Sequence, residues 1–139
     1  MKVLFVCTGN TCRSPMAEAL LKKKTDAHTV ESAGLSVSYP APAHENAVRT
    51  MAEYGMDITN HVAKPLTAAL SEKADLLLTM TRGHRALLCA LFPAASAKTF
   101  TLAEYAGRAE DVEDPFGGDM ETYRAAAAQI AAYIEEAPL

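Results

Sequence analysis

The chain has 139 residues, half of them hydrophobic and 22% charged, a mix that fits one globular domain and not a disordered tail. Thirteen Lys and Arg against seventeen Asp and Glu give a net charge of −4, which argues against a surface that coats nucleic acid but leaves room for one cationic pocket. No apolar run approaches the roughly 20 residues of a membrane span. Three cysteines, an odd number, make no secreted disulfide framework. The opening Met1-Lys2-Val3-Leu4-Phe5-Val6 enters a polar turn directly and is not expected to be a signal peptide. A cytoplasmic, reduced, monomeric single domain over residues 1–139 is expected, with no metal and no cofactor.

Taken in order, Lys2–Val6 is short, apolar and rich in β-branched and aromatic residues, and reads as a buried parallel strand. After the turn at 7–13, Ser14-Pro15 predicts a helix start, with serine as the cap and proline at the first helical position, running to Lys24. A second strand is expected at His28–Ser32, closed by Ala33-Gly34, then a loop over 35–43 with Pro40 and Pro42. His44–Tyr54 is helical by spacing with Gly55 ending it, and a short helix is expected after Pro65. Ala74–Met80 predicts a third strand, Arg82–Phe92 a helix with Cys89 in its core, and Lys98–Leu102 a weaker strand. The last helix is expected at Met120–Glu136, with Asp119 as its cap. Strands alternating with helices imply an α/β sandwich around a parallel sheet. Such sheets bind ligands at the carboxyl ends of their strands, which directs attention to the turn after the first.

That turn reads Cys7-Thr8-Gly9-Asn10-Thr11-Cys12-Arg13-Ser14. Gly9 and Asn10 tolerate left-handed backbone, so the peptides between them can curl with their N–H groups inward. The following helix adds the positive end of its dipole, and Arg13 adds a guanidinium that can hold two oxygens at once. The result is a cup for a tetrahedral oxyanion, and the same field favours a thiolate at Cys7. A Walker loop is excluded because no Gly-Lys-Ser/Thr ends the segment, and Cys7 and Cys12 lack the second pair that a zinc site needs.

The segment from Val3 to Glu18 resembles the opening of the low-molecular-weight protein tyrosine phosphatase family. Ser32-Ala33-Gly34 resembles the family's segment after its second strand, and Asp114-Pro115-Phe116 its late Asp-Pro-aromatic loop. The resemblance implies a three-layer sandwich with a four-stranded parallel sheet flanked by helices and a phosphate-binding loop after strand one. It also implies hydrolysis of phosphoprotein substrates through a phosphocysteine, releasing inorganic phosphate without a metal. Carried over, Cys7 attacks phosphorus, Arg13 holds the equatorial oxygens, and Asp114 protonates the leaving group and then activates water. The backbone of Thr8, Gly9, Asn10, Thr11 and Cys12 surrounds the phosphate. Asn10 pins the loop, Ser32 supports Asn10, and Ser14 both caps the helix and donates toward Cys7. Cys12 has two open readings: a packing residue, or a thiol that captures oxidised Cys7 as a disulfide.

Two departures from the tyrosine-phosphatase pattern resemble the bacterial protein-arginine phosphatase branch. Thr11 stands where isoleucine is usual, and Phe116-Gly117-Gly118 replaces a tyrosine pair. A threonine at the rim can discriminate a planar phosphoguanidine from a phenyl ester, while Asp114 meets its N–H groups and Phe116 covers its cationic face. The alternatives are a tyrosine phosphatase, a thiol-coupled arsenate reductase, or a phosphate-binding module without catalysis. The reductase needs shuttle thiols that the isolated Cys89 does not supply, and the module has no use for Cys7 and Asp114. Asp111 also lies near Asp114, and Tyr39, Pro40 and His44 are candidates for the pocket rim that spacing alone does not place.

Overall fold

In the computed structural model, which describes residues 1–139, the sheet is built around the chain's first strand. β1 (Lys2–Cys7) pairs in parallel with β2 (Thr29–Gly34) on one side and β3 (Leu76–Thr79) on the other, and β4 (Thr99–Thr101) completes the order β2-β1-β3-β4. The connection from β1 leads outward to β2, and the chain then returns across β1 to start β3. This reversal makes the carboxyl end of β1 the switch point of the sheet, where the loops diverge and leave a crevice.

Alternate residues of β1 serve opposite layers, as a strand buried on both faces requires. Val3, Phe5 and Cys7 enter the larger core, which contains Met16, Leu20 and Leu21 of α1 (Arg13–Lys24) and Tyr123, Ile130 and Ile134 of α6 (Met120–Glu136). Leu4 and Val6 enter the smaller core, with Leu77 of β3 and Leu88 of α4 (Arg82–Leu91). α2 (Glu45–Glu53) joins the first layer through Met51, and α3 (Ala68–Lys73) lies on the second. The three layers follow the expected α/β sandwich.

Local chemistry sets the helix ends. His44 Nδ1 accepts from Asn46 N at the start of α2, and Gly55 at φ +78° ends it, with Met56 N donating to Met51 O at 2.9 Å. Asp119 caps α6 at Thr122 N, so that helix keeps its expected bounds. Other edges move. β2 runs on to Gly34, β3 shortens to Leu76–Thr79, and α4 ends at Leu91. Two short elements lie outside the sequence reading, a 3₁₀ turn at Pro93–Lys98 and α5 (Leu102–Tyr105). The second carries a capping box, Thr101 with Glu104, which was legible as a four-residue pattern.

Two expectations are corrected. Ser14 does not cap α1; Cys12 holds the cap position without a side-chain bond, and Ser14 lies inside the first turn. Its hydroxyl is turned back toward β1 instead, so the tertiary partners win over the local cap. Cys89 is half-buried, because α4 covers the sheet with Leu88 while Leu87 and Leu91 face outward.

The end of β2 is laid against the turn after β1. Cys7 pairs with Gly34, Leu35 N donates to Cys7 O, and Ser36 N donates to Thr8 O. A Cβ on Gly34 would lie 2.6 Å from Thr8 O and 3.1 Å from Asn10 N, so only glycine admits this approach.

Candidate active site

Cys7 arrives at the last position of β1 with only 4% of its surface exposed. The loop then turns through Asn10, the one non-glycine residue with positive φ, at 56°. Gly9 needs no left-handed backbone, so of the two residues expected to curl the loop, Asn10 supplies the turn.

Asn10 is fully buried and every polar group of its side chain is used. Its Nδ2 donates to Ser14 Oγ at 2.8 Å and to Ser32 Oγ at 3.0 Å, and its Oδ1 accepts from Lys64 N at 3.0 Å. Its backbone oxygen accepts from His61 Nε2 at 2.7 Å. Ser32 in turn donates to Glu18 Oε1 at 2.6 Å. Ser14 Oγ, having accepted from Asn10, keeps its own hydrogen for Cys7 Sγ, which lies 2.8 Å away. A hydroxyl aimed in this way stabilises a sulfur anion.

Arg13 opens α1 and is buried, with its guanidinium held by two groups. Nη1 donates to Val112 O at 2.9 Å, and Nη2 lies 3.6 Å from Asp114 Oδ2. Asp114 Oδ1 accepts from Phe116 N at 3.1 Å, an Asx turn that leaves its side chain 58% exposed. Cys7, Arg13 and Asp114 therefore share one cavity of about 270 Å³. Thr8, Gly9, Thr11 and Cys12 line the same space, and Phe116 stands 73% exposed at its mouth. Asn10, Ser14 and Ser32 sit behind this wall as its supports. Tyr39 is 72% exposed and does not line the cavity.

Against known families, residues 2–137 match the model of the low molecular weight phosphotyrosine protein phosphatases. The chain belongs to that family. It is 45% identical over 129 residues to the protein-arginine-phosphatase of Bacillus subtilis, covering 89% of this chain and 85% of that one. Among solved structures, the low molecular weight protein tyrosine phosphatase of T. tengcongensis superposes with a TM-score of 0.94 at 41% identity, covering 98% of this chain and 96% of that one. A YwlE arginine phosphatase mutant with a phosphorylated active-site serine superposes with a TM-score of 0.93 at 40% identity, covering 98% and 92%.

The sequence does not single out Tyr123 or His84 near the cavity, and it offers His44 only as a rim candidate. Tyr123 of α6 places its hydroxyl 3.3 Å from Cys12 Sγ, and the His44 ring stacks on Tyr123 at 5.1 Å. Burial pushes the Cys12 thiol up, with Tyr123 and Thr11 only partly offsetting it, so this sulfur stays protonated at neutral pH. Burial and the bond to Cys12 likewise raise the Tyr123 phenol. His44 N donates to Thr11 O at 2.8 Å, which places that histidine behind the loop and not on its rim. His84 Nε2 lies 2.8 Å from Thr8 Oγ1, and burial, followed by the Arg13 charge, lowers its pKa to about 4. Glu18 was legible as part of the opening motif. His44 caps α2, His61 follows that helix and His84 stands in the first turn of α4, and no spacing rule joins them.

Proposed function

We propose that the protein is a protein-arginine phosphatase that hydrolyses phosphoarginine in proteins through a phosphocysteine. The Cys7 thiolate, assisted by Ser14, attacks phosphorus and forms an S–P bond as the P–N bond breaks. Arg13 and the loop N–H groups meet the charge on the equatorial oxygens. The departing guanidine nitrogen takes its proton from Asp114, whose largely exposed carboxyl lines the same cavity as Cys7. Asp114, now ionised, accepts a proton from the water that cleaves the S–P bond and releases phosphate. This reading needs no cofactor.

The observation that carries the substrate assignment is the rim. Thr11 lines the cavity on one side, and exposed Phe116 stands at the mouth beside Asp114. A phosphoguanidine offers N–H donors and a delocalised cation to these groups, whereas a phenyl ester offers neither. The likeness to the Bacillus subtilis protein supports the same reading. A tyrosine phosphatase is the competing assignment, since a tyrosine enzyme of the family is equally close in structure.

Side-by-side kcat/KM measurements on phosphoarginine- and phosphotyrosine-bearing proteins distinguish the two. The wild type should prefer phosphoarginine, and Thr11→Ile should shift the ratio toward phosphotyrosine by about tenfold or more, the discrimination that one misplaced methyl or hydroxyl supports. Equal rates on both substrates that Thr11→Ile leaves unchanged would favour the tyrosine reading.

Redox sensitivity belongs to the same proposal. Peroxide converts the Cys7 thiolate to a sulfenic acid, and the Cys12 thiol displaces water to form a disulfide. Cys12 is suited to this role because it lines the same cavity as Cys7, although the burial that raises its pKa slows its attack. The expected product is a reversible Cys7–Cys12 peptide pair lacking two hydrogens in mass spectrometry. Over-oxidation of Cys7 without any cross-link would leave Cys12 as a packing residue. We read the enzyme as a cytoplasmic monomer acting on proteins, with no nucleic-acid or membrane partner; no helix is long and apolar enough to cross a membrane.

A further inference from the structure

His84 is the third residue of α4, in the turn capped by Thr81, and its ring reaches the phosphate loop from the β3 side. Nε2 lies 2.8 Å from Thr8 Oγ1, while Nδ1 is buried with no hydrogen-bond partner. Together the two atoms decide where the ring proton sits. A proton on Nδ1 would be a buried donor with nothing to bond, so the favoured tautomer carries it on Nε2. A second proton is opposed by burial, by the Arg13 guanidinium and by the positive end of α4, against weaker attraction from Asp114 and Asp111. The imidazole is therefore a neutral donor to Thr8 Oγ1. Thr8, having accepted that hydrogen, retains its own, and its hydroxyl has no other protein partner. The residue lines the cavity that holds Cys7 and Arg13.

We propose that His84 is a positioning residue for phosphate recognition: by donating to Thr8 Oγ1 it commits the Thr8 hydroxyl to donate into the anion cavity. Thr8 thus adds a directed side-chain hydrogen bond to the backbone donors of the loop. The inference rests on the phosphatase reading of the cavity but not on which amino acid carries the phosphate.

The test is a cycle of Thr8→Val, His84→Leu and the double variant, with His84→Gln as the conservative replacement. The readout is the dissociation constant for inorganic phosphate, measured by calorimetry. Each single variant is expected to weaken phosphate binding by about ten- to a hundredfold, as loss of one hydrogen bond to a charged group would. The double variant should bind no worse than either single one. His84→Gln, which keeps an N–H at similar reach, should recover most of the affinity. Wild-type affinity in Thr8→Val, losses that multiply in the double variant, or a His84→Gln as weak as His84→Leu would each overturn the proposal. Should His84→Leu fail to fold, Thr8→Val still decides, because the Thr8 side chain is on the surface. Phosphate is common to the arginine and tyrosine readings, so a wrong substrate assignment would leave this result standing.

Discussion

Cys7→Ser is expected to lower kcat by three orders of magnitude or more, the scale on which removal of an activated nucleophile acts (about 10⁶ in a serine protease). The buried sulfur lies at the end of β1, 2.8 Å from Ser14 Oγ, and that hydroxyl can stabilise a thiolate but does not make an alkoxide at neutral pH. Serine is smaller than cysteine and can keep a bond to Ser14, so the fold and the phosphate cup should survive. Measuring kcat beside the dissociation constant for phosphate separates the two effects. Turnover near the wild-type level would remove Cys7 from the reaction. Lost phosphate binding with a lower melting temperature would mark a structural defect instead.

Asp114→Asn comes second, with kcat on phosphoarginine expected to fall by about 10²- to 10³-fold and KM to change only a few-fold. The guanidine leaving group is strongly basic and cannot depart as an anion, so on the proposed mechanism it depends on a proton from this carboxyl. Asparagine keeps an oxygen for Phe116 N but has no acidic proton and no charge toward Arg13. An aryl phosphate with an acidic leaving group should lose much less, because its departure needs little protonation. A raised KM with kcat intact would make Asp114 a binding group and assign the proton transfer elsewhere.

Much of the architecture could be read from the chain because the informative segments are local. β1 is a continuous apolar run, and α6 keeps its expected limits because Asp119 caps it and a long apolar face continues for 17 residues. The proposed anion site at residues 7–14 could be read from the sequence because one short stretch holds the candidate nucleophile, the turn and the guanidinium. What could not be read was how distant groups compete for local ones. Ser14-Pro15 is a sound cap signal, yet Cys7 and Asn10 take the serine hydroxyl, and the helix starts two residues earlier, at Arg13. The apolar run around Cys89 suggested burial, but only Leu88 of α4 meets the sheet fully. His61, Lys64 and His84 reach the loop only after the chain has crossed the sheet. Their contacts have no periodicity to reveal them.

The saturated hydrogen bonds of Asn10 also bear on how the reaction can be throttled. With that residue anchored to three separate segments, the loop proposed to receive PO₃ is already in shape before any substrate arrives. Free phosphate meets the same fixed donors as an incoming protein, at no cost of rearrangement. On the proposed mechanism inorganic phosphate is therefore expected to compete with substrate, and the rate of dephosphorylation to fall as phosphate is added.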